Sequence, residues 1–166
     1  MDEETYVQII SDKTASLLST CCEIGAASAS ENPETHRLLR EYGENVGLAF
    51  QIRDDVLDYV GRRSITGKPT GLDLSEKKLT LPLICALSRA PKKEKHEIIS
   101  MVKNGGKKIK VNDVVTFVQR YGGIEYAESK ATQFASRAKA TLSLFPASPS
   151  KDSLMAFADF VIEREK

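Results

Sequence analysis

Asn32-Pro33 opens a long helical pattern that limits what the rest of the chain can fold into. Asn32 can cap the helix, and Pro33 takes its first position, where a missing N–H costs nothing. Only Gly43 and Gly47 interrupt the pattern, which predicts a helix from about Pro33 to Tyr59. At about 100° per residue, Asp54 and Asp58 fall within roughly 40° of each other, with Asp55 one step aside and Gly47 and Gln51 along the same line. Val46, Ala49, Phe50, Ile52, Val56, Leu57 and Tyr59 fill most other directions, with Arg53 as the exception. A helix apolar almost all round is an interior helix. This one carries a single acidic stripe into the body that surrounds it.

The remaining segments read as helices too, since apolar residues recur three and four apart and alternating strand-like runs are hard to find. Ile10, Thr14, Leu17, Cys21, Ile24 and Ser28 trace one face of a first helix. "GRRSITGKPTGLDLSEKKLTLP" has Gly61, Gly67, Pro69, Gly71 and Pro82 as breakers and reads as an exposed excursion. Loops of that length tend to be functional or disordered. Beyond it come "LPLICALSRA", a charged helix around Glu94 to Lys103, a basic turn "NGGKKIK" and a short helix after Asn112. Ile124, Ala127, Ala131, Phe134, Ala138, Leu142 and Phe145 mark a longer amphipathic helix stopped by Pro146, and Leu154, Phe157, Ala158 and Val161 give the last helix an apolar stripe. The fold class is all-α, a single helical bundle.

With 166 residues, 41% of them hydrophobic, the chain is long enough to bury one core. Its formal charge of +1 sets up no global field that would recruit nucleic acid or an anionic membrane. "KNGGKKIK" and "APKKEKHE" are short basic stretches without interleaved aromatics, so no nucleic-acid partner is expected. Cys21, Cys22 and Cys85 lack CxxC spacing or nearby histidine clusters. They read as small buried hydrophobes of a reducing compartment. No secretory leader opens the chain and no apolar run approaches the roughly 20 residues that span a bilayer, so no transmembrane segment and a cytoplasmic location are expected. His36 and His96 are isolated on surface helices and receive no role.

Buried carboxylates repel one another and lose hydration unless a cation or hydrogen-bond donors compensate. Three along one stripe suggest a divalent cation. The ligands are hard oxygens with no imidazole near, which favours magnesium over zinc; magnesium typically shares one or two carboxylates with a substrate phosphate and keeps waters. The opposing reading is a solvated face paired with Arg53, Arg62 and Arg63. Lys68, Lys77 and Lys78 just downstream weigh against it, because they sit where a bound diphosphate needs cations.

"GENVGLAFQIRDDVLDY", followed by "GKPTGLDLSEKKLTLP" and preceded by "DKTASLL", resembles the trans-isoprenyl diphosphate synthases, also called polyprenyl synthetases. "FQIRDDVLD" resembles the second of that family's two aspartate-rich motifs, and the three blocks in this order make the match specific. The resemblance implies a helical bundle of the isoprenoid synthase type, of which this chain corresponds to the C-terminal half or so. It implies Mg2+-dependent head-to-tail condensation of an allylic diphosphate with isopentenyl diphosphate. Asp54 then coordinates magnesium directly, while Asp55 and Asp58 act through bound water or hydrogen bonds. Lys13 and Thr14 match a "KT" pair whose lysine contacts the allylic diphosphate, and Phe50 and Gln51 match an "FQ" pair at the cavity wall. Lys68 matches the lysine of a loop that closes over diphosphate, and Asp73 and Lys78 belong to the same flap. The resemblance also implies a homodimer or other self-association.

The family's first aspartate-rich motif, with its following arginine pair, is nowhere in the sequence, and Arg62-Arg63 follows the second motif. Leu72 before Asp73, and Lys77 where the family usually has glycine, are smaller departures. The expectation is therefore that residues 1–166 form the C-terminal portion of one synthase domain, with little or no prenyl transfer alone. A noncatalytic helical subunit that pairs with another synthase chain is the competing expectation, and retention of the complete second motif and Lys13 argues against it.

Overall fold

A computed structural model describes residues 1–60, 72–76, 78–105 and 110–164, and every element among them is a helix. They are α1 (Glu3–Ile10), a π-helical turn (Ser11–Ala15), α2 (Ser16–Ala29), α3 (Pro33–Val60), α4 (Leu72–Ser75), α5 (Leu81–Arg89), α6 (Lys92–Gly105), α7 (Val111–Arg120), α8 (Gly123–Leu142) and α9 (Pro149–Glu163). By contact they divide into two units. One takes Met1–Tyr6 and Asp54–Glu128; the other takes Val7–Arg53 and Ser129–Arg164. Within the described residues no helix is long and apolar enough to cross a membrane.

The unit built on Val7–Arg53 has its core where Tyr42, Val46 and Ala49 of α3 meet Ala135, Ala138 and Leu142 of α8 and Ala158 and Val161 of α9. Alanine at the contact positions lets helix axes approach closely, and Tyr42 closes the core with a 2.8 Å hydrogen bond to the Leu154 carbonyl. Burial pushes the Tyr42 phenol up to about 12. α3 opens as its sequence dictates: Asn32 Oδ1 accepts from the Glu34 N–H at 3.0 Å, directly beside Pro33. α9 is capped by Ser148, whose hydroxyl accepts from the Lys151 N–H at 3.2 Å.

α2 meets α3 without side chains between the backbones. A Cβ on Gly47 would lie 2.5 Å from the Ala15 Cα, and one on Gly43 would lie 2.6 Å from the Leu18 carbonyl oxygen. This contact corrects the face expected for the first helix. The residues that turn inward are Ile10, Ala15, Ser19 and Ala26, while Leu17 and Ile24 stand 68% and 64% exposed and Cys21 is exposed. The cause is the π-helical turn. Its i→i+5 bonding inserts one extra residue, so the buried series steps from Ile10 to Ala15 rather than to Thr14 and stays one residue out of phase with an unbroken 3.6 period.

In the unit holding Asp54–Glu128, α5 is the central rod. Leu81, Pro82, Leu83, Ile84, Cys85, Ala86 and Leu87 are all buried, as a helix apolar all round requires. α7 adds Val114, Phe117 and Val118. The α7–α8 turn is held by Arg89, whose Nη1 donates to the Tyr121 and Gly122 carbonyls at 3.0 and 3.2 Å. Gly122 has φ +64, a left-handed conformation that only glycine adopts freely. The stretch read as an exposed excursion is partly built in: Leu74 is fully buried and Thr80 nearly so. Of the cysteines only Cys85 is buried; Cys22 is half-buried. In α9, Phe157 is 42% exposed, so the inward stripe is narrower than its apolar residues suggest.

Candidate functional site

α3 presents its three aspartates in three different environments. Asp54 is exposed, Asp58 is half-buried, and Asp55 is 5% exposed. Asp55 is tied down by α1: Tyr6, itself 3% exposed, donates its hydroxyl to Asp55 Oδ2 at 2.7 Å. A hydrogen bond to an ionised acceptor contributes about 1.5–3 kcal/mol. Burial, followed by the Asp55 charge, holds the Tyr6 phenol far above its ordinary range, so it remains a donor at any physiological pH.

Asp58 serves a different element. Its Oδ2 accepts from the Asp73 backbone N–H at 3.1 Å, which satisfies one of the donors left open at the start of α4. Asp73 is bonded in turn to Lys78 through its carbonyl (2.9 Å) and its Oδ1 (3.0 Å). Lys78 also reaches Glu76 Oε2 at 2.6 Å, and the bonds to Glu76 and Asp73 hold its ammonium above the usual lysine range. Tyr59, one residue beyond Asp58, shares a 2.9 Å hydrogen bond with Thr80 Oγ1. Burial drives the Tyr59 phenol up, with the nearby Asp58, Asp55 and Asp73 charges adding to it.

In the other unit, Lys13 and Thr14 sit within the π-helical turn, so the widened backbone is where this pair is displayed. Thr14 donates to Gln51 Oε1 at 2.9 Å, joining two of the residues singled out in the sequence. Lys13 is exposed. Phe50 is half-buried beneath Arg164, whose guanidinium carbon lies 3.9 Å from its ring centroid. Arg53 donates through Nε and Nη2 to the Arg164 carbonyl at 3.1 and 3.0 Å. These bonds tie Arg53 to the C-terminal end of α9.

Lys68, together with Arg62, Arg63 and Lys77, lies outside the described residues. Among the described residues no three carboxylate, histidine or cysteine side chains gather closely enough to hold a metal by themselves. The donor set nonetheless fits magnesium, which needs only one or two carboxylates beside phosphate and water. Asp54 is exposed to solvent and Asp58 lies one turn away, whereas Asp55 is occupied by Tyr6. Sequence reasoning missed Tyr6. Its partner is 49 residues away, a separation that no local pattern spans.

These helices and the acidic end of α3 define an all-α protein of the isoprenoid synthase fold. The chain belongs to the polyprenyl synthetase family, which it matches over residues 1–119. It is 39% identical over 163 residues to a short chain isoprenyl diphosphate synthase of Methanothermobacter thermautotrophicus, covering 98% of this chain and 50% of that one. A geranylgeranyl pyrophosphate synthetase of Pyrococcus horikoshii superimposes with a TM-score of 0.91 at 32% identity, over 99% of this chain and 50% of the other. A polyprenyl synthase of Caulobacter crescentus, complexed with calcium and isoprenyl diphosphate, gives a TM-score of 0.88 at 33% identity, over 100% and 51%. The chain spans about half the length of the curated relatives it matches.

Proposed function

We propose that this chain supplies the second acidic motif of a Mg2+-dependent prenyltransferase that joins an allylic diphosphate head-to-tail to isopentenyl diphosphate. The observation that carries the reading is the division of labour on α3: Asp55 and Asp58 hold Tyr6 and the start of α4, and Asp54 faces solvent on the same helix. Asp54 would hold magnesium directly, with Asp58 one turn away acting through bound water while its Oδ2 keeps the Asp73 N–H; the metal would supply positive charge to the diphosphate leaving group. Asp55 orients the helix rather than the metal. Lys13 keeps the diphosphate contact that the resemblance gives it, and its charge stabilises a leaving group most as negative charge builds. Thr14 fixes the Gln51 amide, and Phe50 keeps the cavity-wall place that the resemblance gives it, with one ring face covered by Arg164. Lys78 is already paired with Asp73 and Glu76, so it supports the flap; Lys68 keeps the direct role.

The same proposal extends to location and assembly. All three cysteines are free thiols, in keeping with a reducing cytoplasm. Leu17, Ile24 and Phe160 are exposed apolar side chains, in keeping with self-association or with a further part of a synthase bundle. Calorimetric titration of the purified chain with inorganic pyrophosphate tests the metal reading. Binding is expected only with Mg2+ present, and Asp54→Asn is expected to weaken it about tenfold or more, the size of effect seen on disturbing metal-site groups. Metal-independent binding, or binding indifferent to Asp54→Asn, refutes the reading. Incubation with an allylic diphosphate and labelled isopentenyl diphosphate is expected to give little or no elongation by residues 1–166 alone.

A further inference from the structure

We propose that a cavity lined by α5 and α6, with none of the three aspartates in its wall, takes a linear aliphatic anion. The cavity encloses about 660 Å³, within the roughly 300–1,000 Å³ of small-molecule sites. Leu83, Ile84 and Leu87 of α5 form one wall and Ile98, Ile99 and Val102 of α6 the other. A polar ligand would gain nothing from such walls, so the body of the occupant is hydrocarbon.

The head group follows from the charges at the rim. Glu3 accepts from the Tyr126 hydroxyl at 2.6 Å, and Asp2 accepts from the Thr5 N–H at 3.0 Å. Arg89 is bonded to the Tyr121 and Gly122 carbonyls and lies 5.3 Å over the Tyr126 ring. Lys95 and Lys103 also line the cavity, and neither ammonium has a hydrogen bond or ion pair among the described residues. They lie four residues either side of Ile99, so both stems share its stripe of α6. Lysines on apolar surface bury their stems and keep their heads at the edge. Lys95 is half-buried there. The rim thus carries three cations, Arg89, Lys95 and Lys103, against two carboxylates, Asp2 and Glu3; this positive balance at the mouth of an apolar space selects an apolar tail with one anionic head.

This inference does not depend on the acidic helix, and its test keeps the two apart. Dodecanoate and dodecyl phosphate, both submicellar, are titrated into the purified chain by calorimetry without Mg2+; the two probes separate a carboxylate from a phosphate head. Saturable one-site binding is expected, about tenfold weaker for decanoate because each lost methylene weakens binding roughly three- to fourfold. Dodecanol is expected to bind several-fold less tightly. The double variant Lys95→Glu/Lys103→Glu, with its helical spectrum retained, is expected to lose anion affinity about tenfold while holding dodecanol unchanged. Lys103→Ala is expected to move anion affinity in the same direction, and Ile99→Glu to weaken all the ligands. Absence of saturable binding up to about 1 mM, equal affinity for dodecanol, or anion binding untouched by the double variant or by Ile99→Glu overturns the proposal. So does binding that falls with Asp54→Asn, which would put the ligand on the acidic helix instead.

Discussion

Tyr6→Phe removes one oxygen from the protein and leaves the ring in place, so it isolates the bond that immobilises Asp55. Both partners are out of water, at 3% and 5% exposure, and their atoms are 2.7 Å apart. The lost bond is to an ionised acceptor and contributes about 1.5–3 kcal/mol. At roughly 2–4 °C per kcal/mol for a chain of this size, Tm falls by about 3–12 °C. Asp55→Leu completes a double-mutant cycle. Each single change removes one side of the Tyr6–Asp55 bond and the double change removes both, so the double variant should lose about 1.5 kcal/mol less than the sum of the singles. Amide hydrogen exchange over residues 54–60 reads the effect where it arises, even if the two units unfold separately. pH gives a second arm. The folded phenol titrates above the unfolded value of 10.0, so its contribution is complete below about pH 10 and is lost as pH rises beyond that. The gap between the wild type and Tyr6→Phe should narrow on the alkaline side. A Tyr6→Phe chain within about 0.5 kcal/mol of wild type, or strictly additive singles, would show that the bond does not hold Asp55.

Gly47→Val drives a side chain into the Ala15 backbone, which would lie 2.5 Å from its Cβ; a loss of about 3 kcal/mol or more in urea unfolding is expected. Gly25, on α2, has nothing within 4 Å of the place a Cβ would take, so Gly25→Ala should stabilise by roughly 0.5–1 kcal/mol through helix propensity alone. Asp54→Asn, on an exposed side chain, should stay within about 0.5 kcal/mol of wild-type stability in the same unfolding series, while losing the pyrophosphate response described above.

The sequence carried α3 almost to its last residue. Its cap, its opening proline and its all-round apolar composition are local signals, and the helix follows them. α8 was legible for the same reason: its inward series Ile124, Ala127, Ala131, Ala138 and Leu142 keeps a 3.6 period, with Ala135 taking the fully buried place given to Phe134. The aspartates could be placed on one helix, but their separate surroundings could not. Those depend on Tyr6, 49 residues away, and on Asp73, 15 residues away, pairings fixed by tertiary packing rather than by spacing.

The first helix shows why periodicity failed where it did, and the failure falls at Lys13 and Thr14. Leu17, Cys21 and Ile24 satisfy a regular helical stripe, yet a regular helix would turn Thr14 toward α3 in place of Ala15. Gly47 offers no room there for anything larger than alanine. The π-helical turn resolves the conflict by adding one residue between Ile10 and Ala15, which seats the methyl group against Gly47 and lets Thr14 reach Gln51 from beside it. Lys13 stands in solvent within the same turn. Helix irregularity and the display of the Lys13-Thr14 pair are thus one structural fact with two consequences, and no propensity scale that treats residues 3–29 as a single uniform helix can register either.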